Sequence, residues 1–307
     1  MRTQGALMFE GSMVALVTPF KNGELDEKKI VELVDWHVSE GTQGIVPCGT
    51  TGESPTLSYK EHGRVIEIVV KAARKRIPVL AGTGSNSTTE AIELTHHAKE
   101  VGADAALMIC PYYNKPTQKG LIEHYRAVAR EAPLPIILYN IPGRTGVNML
   151  PQTVVELARS EPKVVGIKEA SGSMDQATEI LAALPSFIVL SGDDSLTLPL
   201  MAIGAKGVVS VVANILPKDT AALVAAAKSG DWDRAREIHF KMFPLIKALF
   251  LETNPIPIKT AMGWLERCSP EVRLPLSSMD AANVKKLEAA LRAYGGLLSP
   301  ARERAVC

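Results

Sequence analysis

The stretch VVGIKEASG, residues 164–172, contains the pattern that decides the fold: a short continuous apolar run that ends at polar residues. Its apolar residues do not alternate with polar ones, as they would on a strand with one face in water. A continuous run of this length is typical of a parallel strand that is covered on both faces. Lys168 follows the run directly, so an ammonium group stands at the end of a strand that should otherwise be buried.

Seven further runs of the same kind lie along the chain, each ending at a polar or glycine-containing loop. Together the eight runs cover residues 13–17, 44–48, 78–81, 105–110, 135–139, 164–167, 187–190 and 207–212. Amphipathic segments lie between them, such as STTEAIELTHHAKEVG, with Ser87 or Thr88 as its N-cap. Strand and helix that alternate eight times predict an α/β fold, a (β/α)8 TIM barrel. The alternative is a doubly wound open sheet, which usually has fewer strands and a phosphate loop near the first one.

The pattern becomes purely helical after Leu216. We therefore expect residues 1–230 to form a barrel that carries the catalytic residues, and residues 231–307 to form a C-terminal helical region. The first seven residues are interpreted as an extension before a second possible start at Met8.

The composition excludes several classes of function. The 34 basic and 33 acidic residues nearly cancel, and aromatic residues make up only 5% of the chain, so a nucleic-acid partner is not expected. Four cysteines lie far apart without a CxxC pair, which favours a reducing compartment. The N-terminal segment lacks the basic start of a signal peptide, and no apolar stretch is long enough to span a bilayer. These features predict a cytoplasmic protein without a membrane partner.

The loops that follow the runs carry the candidate chemistry, whereas the loops that precede them are plain. Lys168 could be an exposed lysine that protects an edge strand from aggregation. A closed barrel has no edges, so its lysine would point into the barrel mouth or toward the helices, where an apolar setting penalises the ammonium form. A neutral amine is what carbonyl condensation needs, which makes Lys168 a Schiff-base candidate. Glu169 should face the opposite side and have a structural role.

The ends of two other strands, with the loops that follow them, offer polar groups to the same mouth. Tyr139 ends the neighbouring strand, about 4.8 Å away, and is either a proton-transfer group or a core tyrosine. Arg144, in IPGRTG, is either solvated or able to clasp a carboxylate with its guanidinium. Thr50 and Thr51, in GTTGES, offer hydroxyls and backbone amides that suit a carboxylate or a carbonyl better than a nucleotide, because the lysine of a P-loop is missing.

Metal chemistry is not predicted. The six histidines show no HExxH spacing, and Asp193-Asp194 has no visible third ligand. We therefore do not expect a metal site.

With these residues set out, the chain resembles the dihydrodipicolinate synthase and N-acetylneuraminate lyase superfamily of class I aldolases. The resemblance covers nearly the whole chain and is carried by GTTGES, CPYYNKP, YNIPGRTG, GIKEASG and SGDD, which occur in the superfamily's order. Arg144 and the paired threonines favour its 4-hydroxy-tetrahydrodipicolinate synthase branch. The alternatives are another pyruvate-dependent aldolase or lyase that acts on a sialic or 2-keto-3-deoxy sugar acid, and a non-catalytic barrel that senses a small acid.

The resemblance implies a role for each site residue. Lys168 would form an imine with pyruvate, and Tyr139 would exchange protons through Thr50 and through Tyr113, which in the family reaches in from a neighbouring subunit. The substrate-binding residues implied are Thr51, for the pyruvate carboxylate, Arg144, for the carboxylate of L-aspartate 4-semialdehyde, and the pocket-lining positions Gly192 and Val209. The product would feed the diaminopimelate route to lysine without any cofactor.

The resemblance also implies a homotetramer, built as a dimer of dimers, and inhibition by L-lysine at the tight-dimer interface. The matching effector positions are Ser54, Pro55, Tyr59, His62, Asn86, Glu90 and Tyr112. Glu90 would attract the ammonium groups of lysine, although it could equally serve only to complete a helix N-terminus. Tyr59 and Pro55 replace the histidine and alanine of one common bacterial pattern, so lysine inhibition is a hypothesis.

Overall fold

A computed structural model describes residues 9–132 and 134–298. Ten strands occur in these residues. They are β1 (Gly11–Ala15), β2 (Phe20–Lys21), β3 (Glu24–Leu25), β4 (Gly44–Val46), β5 (Leu80–Gly82), β6 (Ala105–Ile109), β7 (Ile136–Asn140), β8 (Val164–Glu169), β9 (Ile188–Ser191) and β10 (Gly207–Ser210). The short strands β2 and β3 form an antiparallel hairpin, and each of the other eight lies within or overlaps one of the predicted apolar runs.

The eight longer strands close into a barrel. Their order is β4-β1-β10-β9-β8-β7-β6-β5, and every neighbouring pair is parallel. The two ends of this order meet at a parallel bridge between Ile45 and Val79. Backbone hydrogen bonds on either side of that bridge, Ile45 N to Pro78 O at 3.0 Å and Gly82 N to Pro47 O at 2.9 Å, complete the closure. The predicted (β/α)8 barrel is confirmed, and the open-sheet alternative is wrong.

Helices cover the outside of the barrel and continue beyond it. They are α1 (Glu27–Ser39), α2 (Tyr59–Ala73), α3 (Thr88–Glu100), α4 (Gln118–Glu131), α5 (Pro142–Thr145), α6 (Pro151–Ser160), α7 (Met174–Ala183), α8 (Thr197–Ala202), α9 (Pro217–Ser229), α10 (Trp232–Ala248), α11 (Ile256–Trp264) and α12 (Ala281–Tyr294). Ser87 is the N-cap of α3, since its side chain accepts a hydrogen bond from Glu90 N. None of the helices described is long and apolar enough to cross a membrane.

The strands carry two sets of buried side chains that alternate along each strand. One set forms a cluster inside the barrel: Met13, Ala15, Val46, Leu80, Ala105, Leu107, Ile137, Tyr139, Ile188, Leu190 and Val209. The intervening residues, such as Val14 and Ile167, pack in the clusters between strands and helices. Because both faces of each strand are buried, the runs read as continuous apolar sequence.

The C-terminal helices pack on one side of the barrel. Helix α10 contacts α9 and α12, and α11 contacts α12 and the turn after β10. The division at residue 230 remains a prediction, although the break between α9 and α10 falls there.

Candidate active site

Lys168 lies in β8 on the face that points into the barrel. Its cross-strand partners are Tyr139 in β7 and Leu190 in β9, both members of the interior cluster. The side chain of Lys168 is only 5% exposed, and its Nζ lies 4.1 Å from the centroid of the Tyr139 ring. The face of an aromatic ring attracts a cation electrostatically. This contact places the nitrogen of Lys168 at the carboxyl end of the barrel, where the active sites of such barrels lie.

Gly192 follows β9 and adjoins the lysine, whereas Val209 lies one strand further along the barrel, in β10. A Cβ atom at Gly192 would lie 3.1 Å from Lys168 Cε and 2.6 Å from Ala170 Cβ, so a side chain here would push on the lysine. Gly192 N also donates to Glu169 O at 2.7 Å, which fixes the start of the loop against β8. Val209 is buried in the same interior cluster as Tyr139.

A cavity of about 420 Å³ opens at the carboxyl ends of the strands. Thr50, Tyr139 and Arg144 line it, each from the loop or strand end where the sequence placed it. Arg144 belongs to the short helix α5, which follows β7 directly and holds the guanidinium over this end of the barrel. The predicted hydroxyl and guanidinium groups therefore line one cavity, and the amine of Lys168 adjoins it through the ring of Tyr139.

Thr51 is buried beside this cavity and contacts a residue that sequence reasoning missed. Asn254 Nδ2 donates to Thr51 Oγ1 at 3.0 Å, and the Asn254 carbonyl accepts from the Arg144 guanidinium at 3.2 Å. Asn254 lies between α10 and α11, more than 100 residues from both partners. The contacts are tertiary, and the flanking sequence TNPIPIK carries no catalytic motif that could have indicated them.

A buried ion pair anchors the loop that carries Thr50 and Thr51. Lys259 Nζ donates to Glu53 Oε1 at 2.7 Å and to Thr18 O at 2.9 Å, and both charged side chains are fully buried. Arg273 N donates to the second carboxylate oxygen of Glu53 at 3.1 Å. Burial lowers the pKa of Lys259, and the attraction of Glu53 opposes that shift. The pair ties the loop that carries Thr50 and Thr51 to α11.

Glu169 faces away from Lys168, as expected, and is buried in a network of amides. Its carboxylate accepts from Ser171 N at 2.7 Å and from Gln176 Nε2 at 3.0 Å. Asn140, its cross-strand partner, donates at 3.3 Å and also donates to Asn148 Oδ1 at 2.8 Å. The Asn140–Glu169 pair lies next to the Tyr139–Lys168 pair on the opposite face of β7 and β8. Its hydrogen bonds support the register of the two strands.

The two adjacent tyrosines of PYYN lie in different surroundings. Tyr112 lines the cavity, whereas Tyr113 is 90% exposed and does not line it within a single chain. Tyr113 has a positive φ of 70°, in the left-handed region that is uncommon for a bulky residue. The structure therefore does not bring Tyr113 to Tyr139 and Thr50.

Most of the proposed effector positions line the same cavity as Thr50 and Tyr139. Its lining includes Ser54, Pro55, Tyr59, His62, Glu90 and Tyr112. Asn86 is not among the lining residues; its carbonyl accepts from Asn114 Nδ2 at 2.9 Å. The effector set and the catalytic set are continuous in space rather than separated by the barrel wall.

Two side chains, the carboxylate of Glu90 and the buried imidazole of His62, decide the charge of the effector positions. The carboxylate of Glu90 accepts from Ser85 Oγ at 2.6 Å, and that bond, with Tyr59 beside it, lowers the pKa of Glu90. The same carboxylate raises the pKa of Tyr59 to about 12. Burial lowers the pKa of His62 to about 4, so its imidazole is neutral at neutral pH. The region is therefore a polar pocket with one negative charge.

The acidic pair after β9 has a structural use. Asp193 caps the turn that follows, and buried Asp194 accepts from Val211 N and Val212 N, both at 3.0 Å. Within residues 9–132 and 134–298, no group of three histidine, cysteine, aspartate or glutamate side chains is arranged to hold a metal ion.

Comparison with known proteins gives concordant matches. The model of the dihydrodipicolinate synthetase family matches residues 8–294. The 4-hydroxy-tetrahydrodipicolinate synthase of Geotalea uraniireducens is 58% identical over 289 residues, which are 94% of this chain and 99% of that protein.

Two solved structures extend the comparison to the fold. The crystal structure of dihydrodipicolinate synthase from Aquifex aeolicus has a TM-score of 0.93 and 54% identity, with 95% of this chain and 100% of that chain covered. The crystal structure of the enzyme from Cyanidioschyzon merolae with lysine bound has a TM-score of 0.91 and 42% identity, covering 94% of this chain and 99% of that chain.

Proposed function

The chain belongs to the dihydrodipicolinate synthetase family, and on that premise we propose that Lys168 forms the imine with pyruvate that begins its reaction. The chain is an enzyme of the class I aldolase type with 4-hydroxy-tetrahydrodipicolinate synthase activity. It condenses pyruvate with L-aspartate 4-semialdehyde on the diaminopimelate route to lysine. The observation that carries the proposal for Lys168 is a buried amine 4.1 Å from the ring of Tyr139 at the carboxyl end of the barrel.

The amine of Lys168 adds to the keto carbon of pyruvate, and loss of water from the adduct gives the imine. Removal of a proton from the methyl carbon converts the imine into an enamine, because the imine nitrogen accepts the electron pair. The enamine carbon then attacks the aldehyde of the second substrate. The amino group of that substrate closes onto the imine carbon, and Lys168 leaves as a free amine.

Tyr139 is placed to move the protons in these steps. Its ring contacts the amine and it lines the cavity, so its hydroxyl is the group to accept and return protons as imine becomes enamine. Thr50 lines the same cavity and is the first partner in this relay. Tyr113 is the second partner, supplied by another copy of the chain.

The two substrates are held by their carboxylates. Thr51 binds the carboxylate of pyruvate through its hydroxyl and backbone amide, and Arg144 binds that of L-aspartate 4-semialdehyde. A guanidinium suits this task because it offers two parallel donors to a carboxylate. Gly192 and Val209 shape the space around Lys168 without polar side chains of their own.

The exposure of Tyr113 supports an assembly in which copies of the chain share their cavities. A tyrosine that is 90% exposed in one chain is suited to reach into the cavity of a second copy, which supports a tight dimer. Two such dimers form a homotetramer in this proposal. L-lysine binds at the Glu90 end of the cavity as an inhibitor, in keeping with the lysine-bound relative from Cyanidioschyzon merolae. Free Cys48, Cys110 and Cys268 suit a cytoplasmic location.

Borohydride reduction in the presence of pyruvate tests the imine. The reductant converts the imine into a stable secondary amine, which peptide mass mapping locates. We expect pyruvate-dependent modification of the peptide that carries Lys168. Lys259, the other buried lysine among the residues described, is the internal control and should remain unmodified. Modification elsewhere, or none, would refute the role of Lys168.

A further inference from the structure

Asn254 contacts both groups to which substrate carboxylates are assigned. Its side-chain Nδ2 lies 3.0 Å from Thr51 Oγ1, and its backbone carbonyl lies 3.2 Å from the Arg144 guanidinium. Asn254 is itself only 5% exposed. One buried residue from outside the barrel strands therefore joins the two substrate-binding positions.

The bond to Thr51 sets the direction of the threonine hydroxyl. A hydroxyl can donate one hydrogen bond and accept others. Because the Asn254 amide donates to Thr51 Oγ1, the hydroxyl acts as acceptor in that bond, and its own proton remains free to donate elsewhere. A carboxylate accepts only, so a threonine whose proton is kept free in this way is ready to bind one.

The bond from Arg144 sets the position of the guanidinium. Arg144 sits on a helix of four residues and is exposed as a whole, so its long side chain has many rotamers available. Holding one guanidinium nitrogen on the Asn254 carbonyl restricts that freedom and leaves the other nitrogens to meet a carboxylate in the cavity.

The chain around Asn254 is anchored to the barrel. Helix α11 begins at Ile256, and Lys259 on that helix is anchored to Glu53 and Thr18 in the interior. Thr51 is therefore linked to the same segment twice, through Asn254 directly and through Glu53 two residues further along.

We propose that Asn254 is a positioning residue that orients both carboxylate-binding groups, so that the segment after α10 sets substrate binding in the barrel. The inference rests on the roles proposed above for Thr51 and Arg144. It implies an asymmetry, because the side chain serves Thr51 whereas the backbone serves Arg144. Substitution of the side chain should affect pyruvate more than L-aspartate 4-semialdehyde.

Steady-state kinetics of Asn254→Ala and Asn254→Asp test this directly. We expect N254A to raise the KM for pyruvate about 10-fold, through loss of one hydrogen bond. N254D is closer to asparagine in shape, but its carboxylate would draw the Thr51 proton away from the substrate. We expect N254D to raise the same KM by about 100-fold, with smaller changes in kcat and in the KM for the aldehyde.

A matched control is Thr178→Ala, which removes one side-chain hydrogen bond, to Met174 O at 2.8 Å, on the exposed side of α7. This variant should keep the wild-type constants, and far-UV circular dichroism should be the same for all variants. A residue that only fills space would give the reverse order, with N254D milder than N254A. That order, or a pyruvate KM unchanged in both variants, would overturn the inference.

A double-mutant cycle keeps the test decisive if N254D folds poorly. Thr51→Val removes the hydroxyl, so N254A should add no further increase in the pyruvate KM on that background. Additive effects would show that Asn254 does not act through Thr51. Failure of wild-type protein to be trapped on Lys168 by borohydride would instead refute the proposed function, which separates the two outcomes.

Discussion

Tyr139 and Lys168 are cross-strand partners in β7 and β8, and the lysine amine lies 4.1 Å from the centroid of the tyrosine ring. The pairing gives Tyr139 two separable tasks. Its ring holds the amine in place, and its hydroxyl is available to the reacting atoms in the cavity. Because the ring and the hydroxyl can be removed separately, the two tasks can be measured separately.

We predict that Tyr139→Phe leaves imine formation largely intact and slows turnover by about 10²–10⁴-fold, since the ring remains and the proton-transfer group is lost. Borohydride trapping with pyruvate measures the first property and kcat measures the second. Tyr139→Ala is the companion variant, in which trapping should also fall because the amine loses its contact. Equal effects of both variants on trapping would contradict the division of tasks.

Arg144 should control the second substrate alone. We predict that Arg144→Ala lowers kcat/KM for L-aspartate 4-semialdehyde by about two to three orders of magnitude, because a charged carboxylate loses its partner. Trapping of pyruvate on Lys168 should be unchanged. Arg144→Lys tests the geometry, since an ammonium cannot make two parallel bonds and should restore only part of the activity. Full activity of Arg144→Ala would refute the assignment.

The fold could be predicted because its signal is local and repeated. Each strand is buried on both faces by the barrel interior and the helices, so each leaves a continuous apolar run that can be recognised without tertiary information. Lys168 and Tyr139 could be predicted for the same reason, as polar residues at the ends of such runs. Their pairing followed from the order of parallel strands in a closed barrel.

Asn254 and Lys259 could not be predicted, because their partners depend on how the C-terminal helices dock. Asn254 lies 203 residues from Thr51 and Lys259 lies 206 residues from Glu53. Neither stands at the end of a strand, and the sequence around them indicates only a helix. The contribution of this segment to the active site becomes visible only in three dimensions.

Glu90 should determine the response to L-lysine. If lysine binds beside its carboxylate, millimolar lysine should inhibit condensation, and Glu90→Gln should weaken that inhibition by about 10-fold or more. Activity assays over a range of lysine concentrations measure both. Glu93→Gln, on the next turn of α3, is the control and should keep the wild-type response. An unchanged wild-type rate in millimolar lysine would remove the hypothesis.

The buried pair of Lys259 and Glu53 should be strongly coupled. We predict that Lys259→Met lowers the free energy of unfolding by about 3–5 kcal/mol, because it leaves the Glu53 carboxylate buried without its cation. Adding Glu53→Gln should recover part of that loss, since the amide oxygen can still accept from Arg273 N. Urea unfolding of the single and double variants gives the coupling energy.

The exposed pair of Arg234 and Glu237 is the control for this cycle. Arg234→Met should cost less than about 1 kcal/mol, as solvent-exposed ion pairs usually contribute little. Strict additivity of Lys259→Met and Glu53→Gln would contradict the coupling.

Three buried histidines should make the protein less stable at mildly acidic pH. Burial lowers the pKa of His37 to about 3 and the pKa values of His62 and His124 to about 4. Each value lies below the value near 6.5 expected in the unfolded chain. Below pH 6.5 the unfolded chain therefore binds protons that the folded chain does not, and the free energy of unfolding falls as the pH falls. The limiting slope is about 1.4 kcal/mol per pH unit for each histidine.

The window between pH 6.5 and 5 isolates this effect, because carboxylates titrate mainly below it. Urea midpoints measured at pH 7.0 and 5.5 should differ, with the lower value at pH 5.5. His124→Asn can keep the hydrogen bond to Thr88 Oγ1, seen at 2.9 Å, but cannot take up a proton, so it should flatten the pH dependence. Thr178→Ala, an exposed change on α7 that removes no titratable group, should leave the slope unchanged. Equal midpoints at both pH values would show that these histidines do not govern stability.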